Sequence, residues 1–281
     1  MKRFIYFYFI LFIFLSNLEA KDPLISSLPK PSKDYVLLTI PKSGTHLMKK
    51  LLEMISKNKS KHFSAIIELV PYRLSFVQNP IVLKIFSDSL PKLPTSLEAH
   101  FNFAWVIKSY LKNKPHLTKI ILIRDLRDVC VSTVFYIDKI FPSFFGNISF
   151  DEKLMHTIVC KRKFFRNHVF NVRRESKAAL KWLRDPSVTV CRFEDLCGEQ
   201  GGCTRIAQEK EIVKIASALD VSLSSEELGS IINNLWGGTK TFRKGQTGGW
   251  KKHFKPHHIA AFKRNLGQLL IDLGYEKDNN W

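Results

Sequence analysis

The fold of this chain is decided by one stretch, Tyr35-Val36-Leu37-Leu38-Thr39-Ile40-Pro41-Lys42-Ser43-Gly44-Thr45-His46-Leu47-Met48-Lys49. Its first half, from Val36 to Ile40, is apolar and partly β-branched without polar alternation, as expected of a parallel strand covered on both faces. Pro41 ends this strand, and the apolar residues after His46 recur at helical spacing. The stretch therefore predicts a buried strand, a tight basic loop and the start of a helix.

The loop Lys42-Ser43-Gly44-Thr45 carries a cation, two hydroxyls and a glycine. Glycine lets the backbone approach a ligand closely, and the unpaired N–H groups of a helix start attract anions. The loop therefore predicts a phosphate or sulfate site, with an ordinary turn ahead of a helix as the alternative. It differs from the Walker A pattern because no Gly-Lys-Ser/Thr closes a glycine-rich run.

Length and charge limit the range of functions only loosely. The 281 residues allow one large α/β domain or two small ones, and 45% hydrophobic residues are ample for a core. The formal net charge of +19 favours acidic ligands, anionic polymers or a negatively charged surface as partners. Charge alone does not choose among them.

Residues 1–20 have the pattern of a secretory signal. Lys2 and Arg3 precede an apolar run, and the small residue Ala20 suits cleavage. Cleavage would send the chain into the secretory pathway or export it. An uncleaved signal anchor would instead attach it to a membrane through residues 4–18 and leave the domain in the cytoplasm. Residues 21–33 read as a linker, and residues 34–281 as the folded domain.

The cysteines do not follow a zinc-binding pattern. Cys197 and Cys203 flank a glycine-containing span that would close as a small disulfide loop in an exported protein. Two free thiols in a surface loop are the alternative. No Cys-x-x-Cys pair occurs, so a structural zinc site is not expected.

A second apolar strand runs directly into polar residues. Lys119-Ile120-Ile121-Leu122-Ile123 is followed by Arg124-Asp125-Leu126-Arg127-Asp128-Val129-Cys130-Val131-Ser132. Parallel sheets place ligands at the carboxyl ends of their strands, so Lys42 and Arg124 can converge on one polyanion. Arg124 and Ser132 can grip one phosphate, while Asp128 is placed to cap the helix or pair with Arg127. A solvated ion-pair cluster is the alternative.

The C-terminal third contains a glycine-rich basic segment, here called the basic flap (residues 237–255). It holds five glycines, six Lys or Arg residues and no acidic residue. Such a segment can wrap phosphates or bind a nucleic-acid backbone. Before the flap, Val188–Phe193 predicts a third strand, and residues 152–165 predict one long helical region.

Three segments together resemble the cytosolic type of PAPS-dependent sulfotransferase, from about Asp34 to the C-terminus. They are Pro41-Lys42-Ser43-Gly44-Thr45, the segment Arg124 to Ser132, and Phe242-Arg243-Lys244-Gly245 with Gly248-Gly249-Trp250-Lys251. The resemblance implies a P-loop-like, three-layer α/β domain with a central parallel sheet flanked by helices. It also implies transfer of a sulfuryl group from 3′-phosphoadenosine 5′-phosphosulfate (PAPS) to a hydroxyl or amine of an acceptor. Neither a metal nor a nucleic-acid partner is expected.

The same resemblance implies roles for individual residues. The 5′-phosphosulfate would be held by Lys42, Ser43, Gly44, Thr45 and His46, and the 3′-phosphate by Arg124, Ser132, Arg243, Lys244 and Gly245. Phe193 would lie near the adenine. His100 would be the catalytic base, because the family places a histidine about two dozen residues before the 3′-phosphate arginine. Lys42 would stabilise charge on the bridging oxygen that leaves.

Some positions depart from the family pattern. Leu47 stands where a tryptophan is common, and Gly249 stands where an aspartate is usual. Two other functions therefore stay open at the level of sequence. One is a nucleotide-binding kinase or NTPase, disfavoured by the missing Gly-Lys-Ser/Thr. The other is a non-catalytic basic protein that binds polyanions by charge.

Overall fold

A computed structural model describes residues 35–56, 96–100, 118–165, 170–239 and 242–281. For residues 96–100 and for Val36 the description is limited to the backbone. The predicted signal segment, residues 1–20, and the linker, residues 21–33, lie outside the described residues. Among the helices that are described, none is both long and apolar enough to cross a membrane.

The described elements alternate between strands and helices. The strands are β1 (Tyr35–Thr39), β2 (Ser96–His100), β3 (Thr118–Ile123) and β4 (Val188–Arg192). The helices are α1 (Thr45–Ser56), α2 (Leu126–Ile140), α3 (Phe150–Ile158), α4 (Arg162–Phe165), α5 (Val172–Leu183), α6 (Phe193–Leu196), α7 (Arg205–Ala218), α8 (Ser225–Leu235) and α9 (Pro256–Asp272). Short 3₁₀ helices cover Glu199–Gly201 and Gly249–Lys252.

The four strands form one parallel sheet in the order β2-β1-β3-β4. In register, Thr39 pairs with both His100 and Leu122, and Ile123 pairs with Arg192. Because all strands point the same way, the loops after β1, β3 and β4 emerge at one edge of the sheet. This edge carries the motifs that the sequence singled out.

Each face of the sheet is covered by helices. Leu38 and Ile121 face a buried cluster formed with α2, α3, α5 and α9. Leu37 and Ile120 face the opposite cluster, formed with α1, α6, α7 and α8. Neighbouring residues of a strand point to opposite faces, so an unbroken apolar strand requires cover on both. The predicted three-layer α/β fold with a central parallel sheet is confirmed.

Residues 152–165 do not form the single helix that the sequence predicts. Helix α3 ends at Ile158 and α4 begins at Arg162, with Cys160 between them at φ 49°. A residue in the left-handed region ends a right-handed helix, so the chain turns here. The turn brings Phe164 and Phe165 against Phe144 and Phe145 in a separate aromatic cluster.

Asp128 takes neither of its two predicted roles. Helix α2 is capped instead by Asp125, whose side chain accepts a hydrogen bond from the Arg127 amide at 2.8 Å. The Arg127 guanidinium pairs with Asp125 and with Glu276, each at 2.7 Å. Asp128 lies buried one turn further along α2, facing the basic flap.

Candidate functional site

A cavity opens at the carboxyl edge of the sheet, where β1 and β3 end beside the basic flap. Its walls come from the β1–α1 loop, α2, α6, the segment after α8 and the flap. The lining residues are Lys42, Gly44, Thr45, His46, Leu47, Arg124, Ser132, Tyr136, Phe170, Phe193, Trp236, Gly237, Thr239, Phe242, Arg243, Lys244, Gly245 and Gln246. Nearly all the predicted site residues thus meet around one space.

The β1–α1 loop owes its shape to two residues with positive φ, Lys42 at 72° and Gly44 at 104°. A Cβ on Gly44 would lie 2.5 Å from the ring of Phe193, so the close approach of the loop to α6 requires glycine. The loop then enters α1, whose first turn lines the cavity. Helix starts attract anions through their N–H groups and the helix dipole.

Ser43 is not among the lining residues, although the sequence predicts that it contacts the ligand. Its hydroxyl donates to the carbonyl of Ile40 at 2.6 Å and to that of Leu122 at 3.3 Å, and its amide also donates to Ile40. Ser43 is fully buried. These bonds tie the loop to the ends of β1 and β3. Ser43 therefore fixes the shape of the β1–α1 loop without lining the cavity.

The Lys42 side chain packs against an aromatic residue of the cavity. Its Nζ lies 3.7 Å from the centre of the Tyr136 ring, a cation–π contact. Tyr136 in turn packs edge-on against Phe170, at a centroid distance of 5.2 Å. Both aromatic residues line the cavity. An anion bound by the β1–α1 loop would therefore contact the Lys42 ammonium beside the Tyr136 ring.

Arg124 contacts three of the segments that form the cavity, namely the β1–α1 loop, α6 and the basic flap. Its guanidinium stacks 4.1 Å from the centre of the Phe193 ring. Its Nη1 donates to the Lys42 carbonyl at 3.4 Å, and its Nη2 donates to the Gln246 carbonyl in the basic flap at 2.8 Å. Ser132 follows two turns later on α2 and lines the same cavity. The guanidinium is therefore fixed in direction by both the loop and the flap.

The buried carboxyl group of Asp128 and the partly buried carboxyl group of Glu194 lie behind Arg124. Burial raises the pKa of Asp128, and burial also raises the pKa of Glu194. Glu194 accepts hydrogen bonds from the Asp125 amide at 2.9 Å and from the Tyr275 hydroxyl at 2.7 Å. These bonds join the starts of α2 and α6 to the C-terminal segment. The backbone next to Arg124 is therefore held in place.

The basic flap contributes a second cationic group. The Arg243 guanidinium lies 4.1 Å from the centre of the Phe135 ring. Loss of solvation, followed by the charge of Arg124, lowers the pKa of Arg243 from its usual value. Two guanidinium groups that repel one another favour an anion between them. Gly245 packs so closely on Trp236 that a Cβ would lie 2.6 Å from the indole.

His100 is described through its backbone alone. It is the last residue of β2 and pairs in register with Thr39, three residues before Lys42. Its backbone therefore lies at the sheet edge where the cavity opens. The side chain lies outside the described part of the structure, so the expected role as base stays a prediction.

A His/Asp group elsewhere has the composition of a metal site. Ligand atoms of Asp151, His257 and His258 lie within 4.8 Å of one another. Lys255 Nζ, however, lies 2.7 Å from Asp151 Oδ1, and both ring nitrogens of His258 bond to backbone groups. A cation here would have to displace an ammonium and two hydrogen bonds. The group is not among the lining residues of the cavity.

Cys197 and Cys203 form a disulfide, which decides between the two alternatives that the sequence left open. The enclosed loop contacts the basic flap, because the Gly201 carbonyl accepts hydrogen bonds from the Thr247 amide at 3.0 Å and its hydroxyl at 3.2 Å. Trp236 packs closely against both Gly201 and Gly245. The disulfide loop therefore supports the flap from outside the cavity.

The β1–α1 loop, the Arg124 segment and the layer order can be compared with known families. A family model described as the sulfotransferase domain matches residues 32–236, which is more than half of the chain. The chain belongs to the sulfotransferase domain family. The match includes the loop, Arg124, Ser132 and Phe193, whereas the whole basic flap (residues 237–255) lies beyond its end.

Related sulfotransferases span almost the whole chain. Sulfotransferase 2A1 of Homo sapiens is 25% identical over 278 residues, covering 87% of this chain and 86% of its own. Sulfotransferase 2A6 of Mus musculus is 27% identical over 268 residues, covering 85% of each. The similarity therefore extends past the matched domain into the C-terminal third.

Solved structures share the fold. The mouse sulfotransferase SULT7A1, complexed with PAP, aligns with a TM-score of 0.56 at 16% identity and covers 90% of this chain and 93% of its own. A retinol dehydratase in complex with androsterone and the inactive cofactor PAP aligns with a TM-score of 0.58 at 17% identity, over 86% of this chain and 81% of its own. At such identities the likeness establishes the P-loop-like fold.

The sequence missed several residues of this sulfotransferase's cavity. Tyr136 and Phe170 sit outside the recognised motifs, and their approach to Lys42 depends on how α2 packs. Trp236, which the family resemblance aligns only loosely as a further wall for the adenine, does line the cavity. A usable signal was the position of Tyr136 four residues after Ser132, since residues four apart share one helix face.

Proposed function

We propose that this sulfotransferase takes PAPS as its donor and transfers the sulfuryl group to a hydroxyl or amine of an acceptor. Family membership supports sulfuryl transfer, and the two PAP-bound structures with the same fold support the donor. The observation that carries the proposal is the convergence of the Lys42 loop, Arg124 with Ser132, and the Arg243–Gly245 segment on one cavity. Two separate cationic ends suit a nucleotide with phosphates at both its 5′ and 3′ positions.

The chemistry of the lining residues supports one set of ligands for each end of the donor. The 5′-phosphosulfate would be bound by Lys42, Gly44, Thr45 and His46. Ser43 would fix the shape of the loop without lining the cavity. At the other end, the 3′-phosphate would be bound by Arg124, Ser132, Arg243, Lys244 and Gly245. Phe193 would contact the adenine, and Trp236, which lines the same cavity, would complete that pocket.

The reaction needs a base and a group that neutralises charge on the leaving oxygen. Neutral His100 would remove the proton from the acceptor, and its backbone position beside β1 supports this role. The Lys42 ammonium would stabilise the charge that develops on the bridging oxygen. As in phosphoryl transfer, positioning and charge neutralisation would supply most of the acceleration. Tyr136 and Phe170 would form part of the acceptor wall.

The cellular location of the reaction is also part of the proposal. We infer that residues 1–20 direct the domain into the secretory pathway or out of the cell, and the Cys197–Cys203 disulfide supports an oxidising compartment. A lumen that contains PAPS would then supply the donor. The alternative is a membrane anchor through residues 4–18 with the domain in the cytoplasm.

Calorimetry with 3′-phosphoadenosine 5′-phosphate (PAP) tests the donor. We expect saturable binding that is tighter than for ATP with magnesium, because the cavity has a second cationic end and no Walker A loop. Tighter binding of ATP with magnesium would favour the kinase or NTPase alternative. Binding that survives Arg124→Ala unchanged would favour the non-catalytic polyanion-binding alternative.

Two variants test the chemistry. His100→Ala should lose at least about a hundredfold in kcat while its dissociation constant for PAP stays near that of the wild type, since general base catalysis contributes at least that factor. Lys42→Ala should lose kcat as well, and it should also bind PAP more weakly. A His100→Ala enzyme with normal kcat would remove the histidine from the mechanism.

A further inference from the structure

Asp128 joins α2 to the basic flap across more than a hundred residues of sequence. Its Oδ2 accepts a hydrogen bond from the Gly248 amide at 2.8 Å, and its Oδ1 accepts one from the Trp250 amide at 2.8 Å. Its side chain is only 4% exposed. Each oxygen of the carboxylate therefore holds one backbone amide of the flap, and such charge-assisted bonds are among the stronger hydrogen bonds in proteins.

The same carboxylate faces the arginine of the cavity. Arg124 Nη2 lies 3.8 Å from Asp128 Oδ2, and this Nη2 also donates to the Gln246 carbonyl at 2.8 Å. The flap between Gln246 and Trp250 is thus held at both ends, by Arg124 and by Asp128. The residues that line the cavity, Arg243 to Gly245, directly precede this held section.

We propose that Asp128 is a positioning residue for the donor's 3′-phosphate, which acts by fastening the basic flap so that Arg243, Lys244 and Gly245 stay opposite Arg124. This inference rests on the proposed function, because it assigns the second cationic end of the cavity to that phosphate. Asp128 does not line the cavity itself and reaches the donor only through the flap and Arg124.

Charge alone gives the opposite expectation for this residue. A buried carboxylate beside Arg124 lowers the positive potential that an anionic ligand meets, so removing its charge would strengthen anion binding if potential decided the affinity. If Asp128 acts by holding the flap, removing its charge weakens binding instead. The direction of the change in affinity therefore separates the two roles.

Asp128→Asn provides this test, because asparagine keeps the shape, loses the charge and places an amide N–H₂ against one of the two flap amides. We expect the dissociation constant for PAP to rise about tenfold or more. The dissociation constant for AMP, which lacks the 3′-phosphate, should stay within about twofold. Asp138→Asn is the matched control, since Asp138 lies on the same helix and pairs with Lys153 away from the cavity.

The outcomes separate this inference from the proposed function. Unchanged or tighter PAP binding by a folded Asp128→Asn would overturn the positioning role. Equal weakening of PAP and AMP would overturn it too, because it would show general damage. A wild-type enzyme that does not bind PAP more tightly than AMP would instead count against the proposed function.

Residue-resolved amide exchange tests the contact without any variant. In the wild type free of ligand, the amides of Gly248 and Trp250 should exchange more slowly than that of Lys244, which lies in the exposed part of the flap. In Asp128→Asn this protection should fall, and in Asp138→Asn it should remain. Equal exchange rates at these three amides in the wild type would contradict the proposal that Asp128 fastens the basic flap.

Discussion

At the scale of single residues, the β1–α1 loop depends on backbone conformations that few residue types adopt. Lys42 and Gly44 both have positive φ, and Gly44 also lies where Phe193 leaves no space for a Cβ. Ser43 between them turns its hydroxyl inward to the ends of β1 and β3. Strain of this kind persists only where the surroundings impose it, and it is common at functional sites.

Gly44→Ala should therefore weaken both the fold and the donor site. The methyl group would meet the Phe193 ring, and φ 104° is unfavourable for alanine, so we expect the free energy of unfolding to fall by about 1–3 kcal/mol. PAP binding should weaken as the loop moves away from α6. Urea titration and calorimetry measure the two effects.

Gly229→Ala is the control for this substitution. Gly229 lies within α8, and a Cβ there would meet no atom within 4 Å. Alanine should raise the free energy of unfolding by about 0.5–1 kcal/mol and leave PAP binding unchanged. Equal behaviour of the two variants would show that the geometry of the β1–α1 loop does not matter.

At the scale of elements, the basic flap is shaped by what surrounds it. Its own composition, rich in glycine and lysine, predicts little regular structure. Thr247 donates twice to Gly201 in the disulfide loop, Gly248 and Trp250 donate to Asp128, and Gln246 accepts from Arg124. The flap therefore depends on three different elements for its place beside the cavity.

Removal of the disulfide should show this dependence. For Cys197→Ser/Cys203→Ser we expect a loss of roughly 2 kcal/mol in the free energy of unfolding, from the greater freedom of the unfolded chain. PAP binding should also weaken, because Gly201 would hold Thr247 and Trp236 less firmly. Urea titration and calorimetry under non-reducing conditions measure both effects.

Two comparisons control this experiment. A reductant should destabilise the wild type but not the double variant. Cys160→Ser, which removes a free thiol elsewhere, should keep its sensitivity to the reductant. Wild-type stability that is unaffected by the reductant would mean that the bond does not support the flap.

At the scale of the whole molecule, the chain carries a formal net charge of +19. Such a charge raises the local concentration of anionic ligands and speeds their association without specifying which ligand binds. We expect specificity to come instead from the Lys42 loop, Arg124 and Arg243, which line one cavity at the carboxyl edge of the parallel sheet. The disulfide and the apolar N-terminal segment are the two features that concern the compartment.

If residues 1–20 are a cleaved signal, the chain recovered from a secretory host should begin at Lys21 and hold Cys197 and Cys203 oxidised. Intact-mass measurement with and without thiol alkylation reads both features at once. A full-length chain of 32.5 kDa in the membrane fraction, with both thiols open to alkylation, would support the cytoplasmic anchor instead.

Local patterns in the sequence were enough to predict the β1–loop–α1 unit, the parallel sheet and the meeting of Lys42 with Arg124. Unbroken apolar strands require cover on both faces, and parallel strands end at one edge, so these features follow from short stretches. The family resemblance supplied the roles expected of Arg243, Lys244 and Gly245, and the structure places these residues in the same cavity.

Only the tertiary structure decided which partners the polar and aromatic side chains take. Asp128 binds flap amides 120 and 122 residues away, Tyr136 lies against Lys42, and Ser43 points into the sheet. Sequence spacing determines which residues share a helix face or end a strand. It does not determine which distant backbone packs against them, because that depends on how the layers and the flap come together around a common core.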